Sequence, residues 1–227
     1  MSQDNTIPIV SLDTYVRLTF KRTLSARRTS KKIVTGRIAK DAVQKMSLLL
    51  NELIRDVTRA SVKIARNAGR KTIMKNDIDT AVFTLYHPTT YFYFGPRKLD
   101  RYQRYFEKYF KKEIAPKKMK SRYTMMEKWD LNFPPARIEK IMRLVSTPED
   151  MRIADDAILL MTVLVDELSD HYLSGAHCFK EKVKETIDPE TGFKTMNAGI
   201  VSWKDILKTD DDRPHMSIST CKYKRSV

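Results

Sequence analysis

Glycine is scarce, with six among 227 residues, and so few flexible positions exclude a turn-rich all-β design. Cysteine is scarcer still. Cys178 and Cys221 form no CxxC pair and sketch no disulfide framework, which fits a reducing compartment. No apolar run reaches the ~18 residues that a membrane span needs, and the opening residues lack a signal-peptide pattern. A soluble chain that neither crosses a membrane nor is secreted by that route is expected. The histidines His87, His171, His177 and His215 have no metal-ligand spacing, no glycine-rich phosphate loop is present, and no nucleophile sits in a recognisable motif. Neither a metal, a cofactor nor an enzymatic activity is therefore expected.

What is abundant is positive charge. The chain has 43 Lys and Arg against 28 Asp and Glu, a formal +15, and an isoelectric point near 9.7. Such a surface attracts polyanions, although ribosomal proteins, polymerase subunits and membrane-surface proteins share this balance. Leu, Met, Lys, Glu and Ala dominate the periodic segments and favour helix, so an all-α fold is expected.

Apolar residues at Ala42, Met46, Leu49, Leu50, Leu53, Val57 and Ile64 recur three or four apart and predict one long amphipathic helix from Arg37 to Asn67. At 1.5 Å per residue it would extend ~45 Å, too far for its own short neighbours to cover its stripe. A shorter helix precedes it over Asp13 to Thr23, with Tyr15, Leu18 and Thr19 on one side, followed by the basic stretch from Ser25 to Lys32. Ala68 and Gly69 close the long helix, and Ile78, Ala81, Val82 and Leu85 mark another short one, stopped by Pro88.

The order short, long, short returns in the second half. Pro134 and Pro135 start a short helix marked by Ile138, Ile141, Met142 and Val145. Asp155 and Asp156 then open a long helix through Ala157, Leu160, Met161, Leu164, Leu168, Tyr172, Gly175 and Phe179. After the turn Asp188-Pro189-Glu190-Thr191-Gly192, a third helix capped by Asn197 and carrying Ile200, Trp203 and Leu207 is predicted. Two long uncovered helices suggest that each buries the other's stripe, while periodicity alone also allows two independent bundles.

Residue identity goes further than periodicity. The first half resembles histone two-B in Tyr15-Val16, in Ile38 and Ala42, in Met46 and Asn51-Glu52-Leu53, and in Arg70-Lys71-Thr72-Ile73. The second half resembles histone two-A, most clearly in Leu131-Asn132-Phe133-Pro134-Pro135-Ala136-Arg137-Ile138 and from Ala157 to Ala176. Fusion in this order is similar to the histone doublets of large DNA viruses of the Marseillevirus kind. The resemblance implies two histone folds in one chain, paired as an intramolecular handshake heterodimer. It divides the sequence into a short tail at 1–12, a two-B-like fold with its C-terminal helix at 13–114, a basic connector at 115–130, a two-A-like fold at 131–209, and an acidic cluster with a docking tail at 210–227.

That likeness also implies a ligand, double-stranded DNA wrapped with little sequence preference. One composite site would join Arg152 to Arg70, Lys71 and Thr72, with Arg70 and Arg152 entering the minor groove. The other would join Arg27, Arg28, Lys31 and Lys32, in a loop longer than the histone pattern, to Lys184 and Lys194. Between them, Arg137 matches a DNA-contacting arginine of the family, with Arg17 and Lys21 as neighbours and helix N-terminal amides available for phosphates.

Other surfaces are expected to bind protein. The aromatic stripe Leu99, Tyr102, Phe106 and Tyr109 resembles the C-terminal helix of histone two-B and should pack on the fold below it. Asp166, Asp210, Asp211 and Asp212 match a reduced acidic patch, since His171 and Ser174 replace other patch acids. Met216, Ser217, Ile218 and Ser219 alternate like a shortened docking strand. These imply a complementary doublet or pair, histone four-like and histone three-like, in a nucleosome-like assembly equivalent to an octamer. The expected location is a virion and a viral factory or host nucleus. The rival reading is a histone-fold transcription regulator or scaffold acting at particular DNA sites; a basic helical scaffold on RNA or a membrane surface is the third.

Overall fold

The computed structural model describes residues 9–26, 32–85, 131–178, 184–187, 189 and 194–211. In order these form α1 (Asp13–Ala26), β1 (Lys32–Ile38), α2 (Lys40–Asn67), β2 (Thr72–Ile73), α3 (Lys75–Leu85), α4 (Pro135–Ser146), a 3-10 turn (Thr147–Glu149), β3 (Arg152–Ile153), α5 (Asp155–Cys178), β4 (Lys184–Ile187), β5 (Lys194–Val201) and α6 (Trp203–Asp211). The chain is mostly helical, and each half runs short, long, short. No described helix is long and apolar enough to cross a membrane. The expected all-α class needs one correction, because short strands stand where loops were expected.

Two compact units organise the chain, and each takes residues from both halves. The first comprises Met1–Ser11 and Leu50–Val165, the second Leu12–Leu49 and Asp166–Val227, so the division falls inside α2 and inside α5. In the first unit, Leu53, Ile54 and Val57 of α2 and Ile78, Ala81 and Val82 of α3 are buried. From the second half it buries Phe133, Ile138, Ile141, Met142 and every residue of α5 from Ala157 to Thr162. A helix stretch buried all round needs its polar groups satisfied internally, and the Thr162 hydroxyl donates to the Ile158 carbonyl at 2.8 Å.

In the second unit, Leu12, Val16, Phe20 and Leu24 fall at helical spacing on the buried side of α1, and Ala42, Val43, Met46 and Leu49 do so on α2. Its second-half residues Leu168, Tyr172, Leu173, Ala176, Val201 and Ile206 are equally buried. Fully burying a side chain such as Leu12 or Met46 contributes about 1.5–3 kcal/mol, so these apolar positions hold each unit together.

Helix ends follow from local chemistry. Gly69, at φ +68°, ends α2 by donating its N–H to the Arg66 carbonyl at 2.8 Å, while the Arg70 N–H reaches the Ala65 carbonyl at 2.9 Å. Paired bonds of this kind satisfy the last carbonyls and need a left-handed residue between them. α2 starts at Lys40, three residues after the expected Arg37, because Arg37 and Ile38 belong to β1. The Ala39 N–H donates to the Val201 carbonyl at 2.9 Å, which holds the chain in strand geometry until that point.

The third helix of the second half was also placed too early. Asn197 and Ile200 lie in β5, Asn197 opposite Thr35 and Ile200 opposite Arg37, and neither starts a helix. β-branched residues at Thr195, Ile200 and Val201 suit a strand. Ser202 is the true cap of α6: its N–H and hydroxyl both meet the Asp205 carboxylate, at 2.7 and 2.8 Å.

The end of the expected N-terminal tail is fixed. The Asn51 side chain, 1% exposed, donates to the Val10 carbonyl at 2.9 Å and accepts the Val10 N–H at 3.3 Å, in the first unit. In the second, the Leu12 N–H donates to the Ser47 hydroxyl at 3.0 Å. The aromatic stripe at 96–112, the connector at 115–130, Asp212 and the docking strand from Met216 to Ser219 lie outside the described residues.

Candidate nucleic-acid interface

Each unit contains a parallel strand pairing between the two halves of the sequence. In the first unit β2 pairs with β3, with Thr72 opposite Arg152 and Ile73 opposite Ile153. The Arg152 N–H donates to the Lys71 carbonyl at 2.9 Å and the Ala154 N–H to the Ile73 carbonyl at 3.0 Å. Buried Ile73 anchors the bridge, and the Arg152 side chain is exposed. The sequence expectation that Arg152, Lys71 and Thr72 meet therefore describes residues that are neighbours.

Arg70 belongs to the same loop but is held differently. Its guanidinium donates to both carboxylate oxygens of Asp77, at 2.8 and 2.6 Å, and to the Thr72 carbonyl at 3.2 Å. Asp77, 2% exposed, also accepts the Met74 N–H at 2.8 Å and so caps α3. Burial alone would raise the Asp77 carboxyl, but hydrogen bonds from Arg70 and Met74 and the guanidinium charge outweigh it and leave it below the usual carboxylate range. The hydrogen bond to Asp77 raises Arg70 in turn. A fork engaged on both carboxylate oxygens braces the loop, a role in addition to the minor-groove contact expected of Arg70.

Two cations of this unit, Arg66 and the expected DNA contact Lys71, face acids. Arg66 donates to the Glu149 carbonyl at 2.9 Å and pairs with the Glu149 carboxylate at 2.5 Å. Lys71 pairs with Asp150 at 3.5 Å. Arg137 stands exposed in the first turn of α4, its backbone N–H bonded to the Pro134 carbonyl at 2.9 Å. Lys140 and Arg143 follow it as exposed residues, three apart, and Arg143 pairs with Glu139 at 2.8 Å. The sequence reading did not single these two out; their three-residue spacing from Arg137 was the available signal.

In the second unit β1 and β5 run parallel, and β4 joins β5 antiparallel, giving the order β1-β5-β4. The register sets Lys32 opposite Lys194, and Lys184 opposite Asn197 on the other edge. Three expected contact residues thus share one sheet. Lys32 and Lys194 thus occupy facing register positions at the start of the bridge. Arg37, missed because it was assigned to α2, is exposed in β1. Arg17 and Lys21 are both exposed on α1, four residues apart on one helix face. Arg27, Arg28 and Lys31 lie outside the described residues.

Of the acidic positions, Asp166 is the one whose side chain is among the described residues. Asp166 is 7% exposed, in a part of α5 where Val165, Leu168 and Ser169 are also buried. It contributes no exposed charge, which corrects its assignment to a surface patch. Asp210 and Asp211 lie in α6.

Both bridges join a loop before one long helix to a loop after another, with Lys71 and Arg152 at one and Lys32, Arg37 and Lys194 at the other. This arrangement is accompanied by a sequence match. Residues 27–82 match the family model described as histone-like transcription factor (CBF/NF-Y) and archaeal histone. The match covers β1, α2 and β2 and most of α3. Over residues 27–82 the chain is therefore similar to histone-like folds, and a histone-like, DNA-binding role is what that similarity suggests.

Proposed function

We propose that the chain is a histone doublet: two histone folds in one polypeptide, paired with each other and binding double-stranded DNA without reading its sequence. One observation carries the proposal. Each of two parallel bridges, Thr72 to Arg152 and Lys32 to Lys194, brings a strand of the first half to a strand of the second at positions rich in Lys and Arg. A handshake of two folds yields such a pair of composite loops. The family match at residues 27–82 supports the first fold, and the repeated order of helices supports the second.

In this reading Arg152 enters the minor groove and Thr72 steadies it, while Lys71 meets a phosphate. The exposed Arg137 at the start of α4 offers a second phosphate contact. In the second unit Lys32, Lys194 and Lys184 on the sheet strands, with the exposed Arg37, Arg17 and Lys21, supply further cations for phosphates. The chemistry is charge neutralisation and shape reading, with no bond made or broken. The proposal extends to compaction of a viral genome, in the virion and in the viral factory or host nucleus, alongside a complementary histone four-like and histone three-like partner.

Nuclease digestion of complexes reconstituted on arbitrary DNA, with and without that partner, tests it. A regular protected length supports packaging. Protection confined to particular sequences would instead identify a transcription regulator, a class that the family description also names.

A further inference from the structure

The bridge between β2 and β3 carries its own counter-charge. Just before β3, the turn Thr147-Pro148-Glu149-Asp150 places two acids against two cations that precede β2, Arg66 at the end of α2 and Lys71 beside the strand. Arg66 grips Glu149 twice, through the carboxylate at 2.5 Å and the carbonyl at 2.9 Å, and Lys71 faces Asp150 at 3.5 Å. Both pairs lie in the first unit and all four side chains reach solvent: Lys71 is 83% and Asp150 93% exposed, Arg66 51% and Glu149 45%. Exposed pairs of this kind add little to stability. Their effect on an incoming polyanion is larger, because they occupy the donors that phosphates would use and add negative charge within a Debye length of the site.

The turn is built to keep that position. Asp150 adopts a left-handed conformation, φ 50° and ψ 39°, and its N–H donates to the Thr147 carbonyl at 3.0 Å. A non-glycine residue accepts this region only at some cost, and aspartate and asparagine accept it best. The Met151 N–H then donates to the Ser146 carbonyl at 3.0 Å, which sets the entry into β3. The acid is thereby fixed two residues before Arg152.

We propose that Glu149 and Asp150 form an internal phosphate mimic that attenuates DNA binding at this bridge. In the free protein they neutralise Arg66 and Lys71. A duplex must displace them, and each displaced carboxylate then remains beside the phosphates and offsets part of the cation's gain. The protein's net charge thus overstates the number of phosphates this bridge can neutralise, and the bridge releases DNA at lower salt than its cations alone would dictate. The inference rests on the DNA-binding reading of Arg152 and Lys71 and deepens it.

The test uses the full chain and a duplex of mixed sequence, with affinity measured from about 50 to 200 mM salt. Glu149→Gln keeps an acceptor for Arg66, and Asp150→Asn keeps a side chain suited to left-handed backbone, so the turn survives in both. Each substitution should tighten binding about three- to tenfold at the low-salt end, and steepen the slope of log affinity against log salt by up to about 0.9 per recovered phosphate contact. Glu52→Gln, an equal charge change on the exposed side of α2, should leave the slope unaltered. An unchanged slope in the Glu149→Gln, Asp150→Asn double variant, or an equal change in Glu52→Gln, overturns the mimic while leaving DNA binding intact. If the unsubstituted chain itself fails to bind duplex at any of these salt concentrations, the DNA-binding reading falls, and the mimic with it.

Discussion

Asn51 offers a direct measure of what holds the start of the chain. Its amide closes a two-way hydrogen bond with Val10, donating at 2.9 Å and accepting at 3.3 Å, and Val10 is buried at 6% exposure. Asn51→Ala strands one buried N–H and one buried carbonyl, and an unsatisfied buried group costs about 1–3 kcal/mol. The two need not both be charged in full, because Ile9 and Ser11 on either side are exposed and the segment can peel into water. Peeling forfeits the burial of Val10, about 1.5–3 kcal/mol. Either route therefore predicts a loss of roughly 2–3 kcal/mol, a large share of the 5–15 kcal/mol of an ordinary domain. Urea denaturation followed by circular dichroism measures it. Asn51→Asp adds a chemical check. As an anion the new side chain cannot donate, and it faces the Val10 carbonyl; protonated, it can donate again. Burial raises such a carboxyl above its unfolded value near 3.9, so the stability of this variant is greatest below that pH and is lost as pH rises through the elevated folded value. Loss of under 0.5 kcal/mol in Asn51→Ala, or an Asn51→Asp variant equally stable at pH 4 and pH 7, would refute the reasoning.

The remaining predictions separate bracing from binding. Arg152→Ala should flatten the salt dependence of duplex affinity by about 0.9 with the thermal midpoint unchanged; an unaltered slope removes Arg152 from the interface. Arg70→Ala should instead lower the thermal midpoint, since it releases Asp77 and the start of α3, and calorimetry on the two variants distinguishes them. Because the folded Asp77 carboxyl lies below its usual value, its stabilisation is present above about pH 4 and fades as pH falls through the folded value; Asp77→Asn should remove that part of the acid transition. Gly69→Ala meets no atom within 4 Å of the new Cβ, so its cost is that of left-handed backbone alone, about 1–2 kcal/mol, and chemical denaturation reads it directly.

The helices were legible because amphipathic spacing is a local property. The end of α2 at Gly69, the start of α5 at Asp155 and the extent of α3 all follow from residues adjacent in sequence. The strands were not. Ile33-Val34-Thr35 has β-branched character, but a stretch between two strong helices reads as a basic loop until β5 supplies its partner from far along the chain. The same holds for Arg70: nothing in the spacing to Asp77 announces a clamp, because the turn at Gly69 and the bridge at Thr72 bring the two together. Asp166 failed for a related reason, since its burial depends on what covers that face of α5. Charge counting found Lys71 and overlooked that Asp150, an equally visible residue, would meet it.

The two bridges bear on how the molecule is made. Each pairs a strand of the first half with one that emerges much later, and β1 waits for β5 far along the chain. Such distant pairings form slowly, and until the later strands emerge a long amphipathic helix stands with its greasy side uncovered. Synthesis of this chain therefore calls for a chaperone or a rapid finish, and joining both halves in one polypeptide shortens that exposed interval by delivering the missing strand in a single pass.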